Sequence, residues 1–289
     1  MGNVATTVEE QIEILRRRGL ELDYSVTKIK EILLDIGYYR LGFYWNPFEK
    51  NSTHDFESGS KFSDAVSLYY LDVDLRNLLL KCLNRIEINF KTCLIYYVSN
   101  KYKESPTWFI NSKVISNNFI IDIDKFYSED FKKKNKAIKT HHLKYINDKY
   151  APAWKTLEFF TFGTILKLYL SLKNEDLKKE IAFKFGIKSL KVFENHLRTI
   201  IFIRNICAHG GVVFDLKTPK GISNIPVLNF YKNDNHSLDA AIKLITFYLG
   251  KISIDRETEL KNKITELINP YKDNIVLSKI IETKIGYLF

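Results

Sequence analysis

Hydrophobic residues recur at helical spacing through most of the chain, whereas the strict alternation typical of strands is almost absent. The longest such pattern runs from Phe62 to about Lys101 and predicts one long helix. Shorter helices are predicted at residues 8–18, 25–36, 152–170, 174–186, 189–209, 237–250, 256–268 and 274–285. Only residues 225–231 favour a short strand. We therefore expect an all-α fold.

The predicted helix with the clearest boundaries lies in the second half of the chain. Ser189 is a good N-cap, because its hydroxyl can accept a free amide of the first turn. Gly210 and Gly211 favour a left-handed stop at the other end. At about 100° per residue, Phe193 and Leu197 lie on one apolar stripe. The rest of the chain is expected to pack around this helix.

A polar cluster interrupts that stripe near its C-terminal end. Arg204 lies only about 20° from Leu197 on a helical projection, and a guanidinium in an apolar core needs a partner. Asn205 and His209 complete the cluster, which is the candidate functional site. The alternative interpretation is structural: Arg204 would pair with a buried glutamate such as Glu158, and His209 would cap carbonyl groups.

The charge balance favours a polyanionic partner. Lys and Arg outnumber Asp and Glu by 44 to 34, which gives a formal net charge of +10, and nucleic acid is a more probable partner than a membrane surface. Five lysines are concentrated in one charged stretch, namely Lys132, Lys133, Lys134, Lys136 and Lys139. This cluster is interpreted either as a solvated helix face or as a surface that follows RNA phosphates.

The remaining composition argues against several other classes of protein. The three cysteines have no zinc-type spacing, and we interpret them as reduced core thiols of a cytoplasmic protein. No apolar run reaches transmembrane length, and no secretory signal is recognisable. Because His141 and His142 are adjacent rather than one helical turn apart, no metal site is expected.

Two segments outside the predicted helices have their own interpretation. Residues 37–50 are dense in aromatic residues and are expected to form a packed turn, with Arg40 stacked on an aromatic ring; a direct contact of Arg40 with RNA is the less favoured alternative. Residues 210–236 are long for a connection in a compact domain. Because this segment follows His209 directly, it is a candidate lid or substrate guide.

Several stretches together resemble the Abi-like family of bacterial abortive-infection proteins, of the AbiD/AbiF type, within the HEPN superfamily of helical ribonucleases and RNA-associated proteins. The resemblance covers most of the chain. It rests on Gln11-Ile12, Arg18-Gly19-Leu20, Tyr38-Tyr39-Arg40-Leu41, Tyr44-Trp45, Pro47-Phe48, Arg85-Ile86-Glu87, Trp154, Leu157-Glu158, Phe162-Gly163-Thr164, Ile203-Arg204-Asn205 and Cys207-Ala208-His209. It implies a HEPN-like helical domain at residues 61–289 with an N-terminal helical extension at 1–60, or one continuous domain over 1–289.

The resemblance also implies a metal-independent endoribonuclease that acts as a toxin in phage defence and needs no cofactor. Arg204 would hold the scissile phosphate, His209 would transfer protons, and Asn205 would orient His209. Where relatives often carry a further arginine, this chain has Val212, so a second phosphate contact is missing or comes from a lysine. The alternative is a non-catalytic RNA-binding regulatory module.

The expected partners follow from the same motif. Arg204 and His209 diverge by about 140° on an ideal helix. Either the glycine stop turns His209 back, or two copies of the chain combine their motifs. HEPN relatives commonly combine two motifs, and since this chain has one, the resemblance implies a homodimer. RNA is expected as substrate, and a small non-coding RNA is a further candidate partner.

Overall fold

The computed structural model describes residues 4–50 and 54–289 and confirms the all-α prediction. Within these residues no β-strand forms, and extended segments pair only through three isolated bridges. The α-helices of the described residues are α1 Val8–Arg17, α2 Val26–Asp35, α3 Tyr38–Trp45, α4 Phe62–Lys101, α5 Asn117–Ile121, α6 Ile123–Phe126, α7 Glu129–Lys134, α8 Lys136–Lys144, α9 Ala153–Thr156, α10 Phe162–Leu170, α11 Glu175–Lys184, α12 Leu190–Ala208, α13 Leu238–Ile252, α14 Ile254–Ile268 and α15 Ile275–Lys284. None of them is long and apolar enough to cross a membrane.

The long helix α4 is the centre of the molecule. It has 40 residues and is therefore about 60 Å long. Its buried apolar residues from Leu68 to Val98 follow one another at intervals of three or four, so they form one stripe along the helix. Helices α3, α12, α13 and α14 all pack against it. The predicted long helix thus has the predicted boundaries and supplies one wall of the core.

An aromatic cluster fixes α12 against α4. Phe90 of α4 contacts the rings of Phe162, Tyr169, Phe185 and Phe193, with centroid separations of 5.6–6.1 Å. Tilted and edge-to-face pairs of this kind stabilise a core beyond simple area burial. Because Phe193 lies in the first turn of α12, the helix that carries the candidate site is held rigidly at its N-terminal end.

Three local predictions were wrong. The aromatic segment at 37–50 is mostly the helix α3 rather than a turn, although it does pack on α4. The predicted helix at 152–170 is interrupted, because Phe160 is extended and Thr161 begins a new helix as its N-cap. Residues 225–231 contain no strand. In each case packing or a local cap decided the conformation rather than hydrophobic periodicity.

The N-terminal helices share the hydrophobic core of the rest of the chain. Buried residues from Ile12 to Ile285 form one continuous cluster. The division into an extension at 1–60 and a main domain at 61–289 stays a prediction.

Candidate functional site

Helix α12 ends in a Schellman motif that determines where His209 lies. His209 is the C-cap residue, and Gly210 follows with a φ of 67°. The amide of Gly211 donates to the carbonyl of Ile206 at 2.8 Å, and the amide of Gly210 to that of Cys207 at 3.4 Å. A Cβ atom on Gly211 would lie 2.8 Å from the Ile206 side chain. Both glycines are therefore required, as the sequence indicated.

The three predicted site residues lie on the last turns of α12 but do not form one contact group. Asn205 and His209 are exposed, and Arg204 is half-buried. Asn205 Oδ1 accepts a long hydrogen bond of 3.4 Å from Arg204 Nη1. Within the part of the chain that the structure describes, the His209 side chain makes no hydrogen bond or ion pair. The His209 amide donates to the Asn205 carbonyl at 3.0 Å, but no hydrogen bond joins their side chains in the described residues, so the orienting role of Asn205 stays a prediction.

Arg204 has its polar partner inside the chain, but this partner is not Glu158. Its Nε atom lies 3.2 Å from Oε2 of Glu87, a buried residue of α4. Glu87 also pairs with Lys91 at 2.9 Å, so one carboxylate faces two cations. Glu158 is exposed. Its backbone carbonyl accepts a hydrogen bond from Lys91 Nζ at 3.3 Å, and among the described residues its carboxylate forms no ion pair. The local excess of positive charge favours an anionic ligand near Arg204.

A second buried carboxylate, which sequence reasoning missed, anchors the chain beyond His209. Asp72 of α4 is fully buried and accepts the amides of Val213 at 2.8 Å and Phe214 at 2.7 Å. It also accepts the hydroxyl of Tyr44 and Nε of Arg76, each at 2.9 Å. Four donors satisfy this carboxylate, as a buried charge requires. The sequence did contain a sign of this anchor, because Asp72 is an acidic residue among the buried apolar positions of α4.

The segment at 210–236 is held in place over most of its length. The side chain of Asn195 donates to the Gly221 carbonyl at 3.1 Å and accepts the Ser223 amide at 2.7 Å. A ring nitrogen of His196 lies 2.7 Å from the Ser223 carbonyl, and the amide of Thr218 donates to the carbonyl of His236 at 2.9 Å. These contacts indicate a fixed wall of the molecule rather than the expected lid.

Arg40 reaches the same helix end instead of stacking on an aromatic ring. Its Nη2 atom donates to the carbonyl of Gly210 at 2.6 Å. Helix α3 brings it there by packing on α4. This contact joins residues 170 positions apart in the chain, so no local pattern could have indicated it.

The predicted lysine cluster lies on α7 and α8. Lys132 is partly occupied, because it pairs with Glu129 at 2.8 Å and lies over the ring of Tyr127. The other four lysines are exposed and take part in no ion pair with any described residue: Lys133, Lys134, Lys136 and Lys139. These four carry the charge that remains available to a ligand.

Part of the cluster borders a cleft of about 600 Å³ that also contains aromatic residues. Its wall includes Lys134, Lys136, Lys144, Lys155, Tyr145 and Phe159. Lys155 and Phe159 come from a different region of the chain, and sequence reasoning did not include them. The cleft is linked to the candidate site only indirectly, because Lys91 contacts both Glu87 and the carbonyl of Glu158, the residue before Phe159.

The histidines and cysteines elsewhere have structural surroundings. His141 pairs with Asp148 at 2.9 Å, and His142 Nε2 lies 2.8 Å from the hydroxyl of Tyr127. No group of three His, Cys, Asp or Glu residues in residues 4–50 and 54–289 could hold a metal ion. Burial raises the pKa of the Cys207 thiol to about 12, so this thiol is not a nucleophile at neutral pH.

Comparison with known proteins identifies one family. The model of the family described as Abi-like protein matches residues 31–215, which is more than half of the chain. No curated protein and no solved structure matches the sequence. The matched region begins in α2, includes Arg40, Asp72 and the whole of α12, and ends directly after the amides that Asp72 binds.

Proposed function

The chain belongs to the Abi-like protein family, which suggests a role in abortive infection, and on that premise we propose that it is a cytoplasmic, metal-independent endoribonuclease of the HEPN type. One observation carries the proposal. Arg204 forms an ion pair with the buried Glu87 at 3.2 Å, while His209, at the end of the same helix, is exposed and free of side-chain partners. A half-buried cation and an unengaged histidine suit the cleavage of a phosphodiester.

The reaction needs no metal-bound water, because RNA carries its own nucleophile. The 2′-oxygen attacks the adjacent phosphorus and the bond from phosphorus to the 5′-oxygen breaks. The products are a 2′,3′-cyclic phosphate and a 5′-hydroxyl. Arg204 would stabilise the charge that develops on the phosphate, using the terminal nitrogens that Glu87 leaves open. His209 would take the 2′-hydroxyl proton or supply one to the leaving oxygen.

A homodimer would complete this site. Within one chain the His209 side chain does not touch Arg204, and each chain has one such motif. In a two-fold dimer with the ends of α12 facing each other, His209 of one copy would lie beside the Arg204 of the other. Light scattering tests this proposal. A monomer that stays fully active at high dilution would contradict it.

RNA would bind along the cleft beside the lysine cluster. Exposed lysines neutralise phosphates, and the rings of Tyr145 and Phe159 offer stacking surfaces for unpaired bases. The buried pair Lys91 and Glu87 links the wall of this cleft to Arg204. In the proposal a single strand runs from the cleft towards the site, and a small non-coding RNA could occupy the same surface.

The alternative is a non-catalytic RNA-binding module, and one observation favours it. Arg204 already has a carboxylate partner, and nothing in the described chain orients His209. In this alternative the Arg204–Glu87 pair stabilises the helix packing, and RNA binds without being cleaved.

A cleavage assay distinguishes the two functions. The purified chain is incubated with a structured RNA, with and without EDTA, and the new ends are analysed. The proposal expects cyclic phosphate and 5′-hydroxyl ends in equal amounts under both conditions. Cleavage that EDTA abolishes would contradict the mechanism. RNA binding without cleavage would establish the alternative.

A further inference from the structure

Two arginines from distant parts of the chain converge on the residue after His209. Arg40 of α3 donates to the Gly210 carbonyl through Nη2 at 2.6 Å. Arg76 of α4 also lies close to Gly210. If Gly210 carried a Cβ atom, that atom would lie 3.6 Å from Nη1 of Arg76. Both guanidiniums therefore border the exposed end of α12.

The carboxylate nearby does not neutralise them. Asp72 is an ion-pair partner for Arg76 alone, through Nε at 2.9 Å, and its oxygens are shared with three further donors. Arg40 has no ion pair with any residue that the structure describes. Two positive charges and one negative charge leave an excess of one positive charge at this point.

The donors that remain have no partner, although Arg76 is largely covered, with 13% of its side chain exposed. Neither terminal nitrogen of Arg76 makes a hydrogen bond to a described residue, and neither is a buried unsatisfied atom. The same holds for Nε and Nη1 of Arg40. Free guanidinium nitrogens beside an uncompensated charge are the groups that proteins use to bind phosphate oxygens.

We infer that Arg40 and Arg76 form a binding site for one phosphodiester group of an RNA strand, directly beside His209. Val212 is half-buried against the core and offers no donor, so these two arginines supply the second phosphate contact at this end of the site. The inference rests on the proposed RNA-directed function, because it positions the strand relative to His209. It concerns binding, and it holds whether or not the strand is then cleaved.

The test uses Arg40→Gln in the full chain, with Arg16→Gln as the matched control. Arg16 is an exposed arginine of α1 paired with Glu13, so both variants lose the same charge. The probe is a fluorescent 2′-O-methyl RNA oligonucleotide, which lacks the nucleophile and reports binding independently of cleavage. One charged hydrogen-bonded contact corresponds to roughly a tenfold change in affinity.

We expect Arg40→Gln to bind the probe roughly tenfold more weakly. The slope of log affinity against log salt concentration should become less steep by about 0.7, while Arg16→Gln binds as the unmutated chain does. Equal affinities of the two variants would overturn the inference. Inorganic phosphate provides a further test. If it protected the unmutated protein but not Arg40→Gln against thermal unfolding, while RNA affinity stayed the same in both, the arginines would bind free phosphate rather than RNA, and the inference would also be overturned.

A second variant covers a failure of Arg40→Gln to fold, which its melting curve would show. Arg40→Lys keeps the charge and can still donate to the Gly210 carbonyl, but an ammonium cannot also reproduce the planar contact with phosphate. Probe binding should weaken at least about threefold. Unchanged binding by a folded Arg40→Lys protein would overturn the inference. Absence of cleavage in the unmutated chain would refute the proposed enzyme but leave this result standing.

Discussion

Arg204 on α12 lies with its Nε atom 3.2 Å from Oε2 of Glu87 on α4. This ion pair connects α12 to α4 at the candidate site, although Nε of Arg204 makes no hydrogen bond there. Glu87 is 7% exposed and Lys91, its other partner, is 8% exposed. The site residue thus lies against two charged side chains that are largely shielded from water.

Glu87→Gln should reduce the free energy of unfolding by roughly 3 kcal/mol. The reason is that Lys91 would remain a buried cation without its carboxylate. Urea denaturation measures the change. The matched control is Glu13→Gln, which removes an exposed carboxylate paired with Arg16 and should stay within about 0.5 kcal/mol of the unmutated protein. Equal midpoints for the two variants would show that the group contributes nothing.

His209→Ala should lower the cleavage rate by about 10²–10⁴-fold while the helical fold survives, because general acid–base help of this kind is lost. Arg204→Ala should lower it by a similar factor, through loss of the transition-state donor. Arg204→Lys should also fail, since an ammonium does not reproduce two parallel hydrogen bonds. Growth arrest and RNA cleavage are measured together with circular dichroism. A folded His209→Ala protein that still cleaves RNA would refute the assigned role.

Reversing two lysines of the cleft should weaken RNA binding. Lys134→Glu combined with Lys136→Glu removes two exposed cations without breaking any ion pair between described residues. We expect the slope of log affinity against log salt concentration to become less steep by about one unit or more. The control combines Lys272→Glu with Lys279→Glu, which makes the same charge change on exposed residues elsewhere. If both double variants behave alike, the lysine cluster is only a solvated face.

The protein should lose stability as the pH falls below about 6.5. Burial lowers the pKa of His196, which has no exposed surface and contacts the Ser223 carbonyl at 2.7 Å. In the unfolded chain this histidine takes up a proton near its ordinary pKa, whereas in the folded protein it does so only at a lower pH. The unfolded state therefore binds more protons, and the free energy of unfolding falls by at most about 1 kcal/mol between pH 6.5 and 5.5.

Thermal melts at the two pH values check this expectation. His196→Gln, which can still donate to Ser223, should show a smaller pH dependence than the unmutated chain. His54→Gln, at an exposed histidine, should leave the pH dependence as it is. An unchanged pH dependence in His196→Gln would show that another group is responsible.

The sequence by itself determined the long helix α4 and the ends of several shorter helices. Hydrophobic spacing identified α4 with its observed boundaries, and Ser189 was correctly identified as an N-cap. The glycine stop after His209 also followed from local chemistry. These features depend on residues within a few positions of one another, and a linear pattern reports such interactions directly.

Only the tertiary structure decided how the candidate site is built. The partner of Arg204 is Glu87 rather than Glu158, Asp72 holds the segment after His209, and Arg40 reaches Gly210. Each of these contacts joins residues more than 100 positions apart, and each depends on which turn of α4 faces α12 or α3. That register is set by the packing of large side chains around Phe90 and its neighbours. Helical periodicity tells which face of a helix is buried, but not which residue on another helix lies opposite.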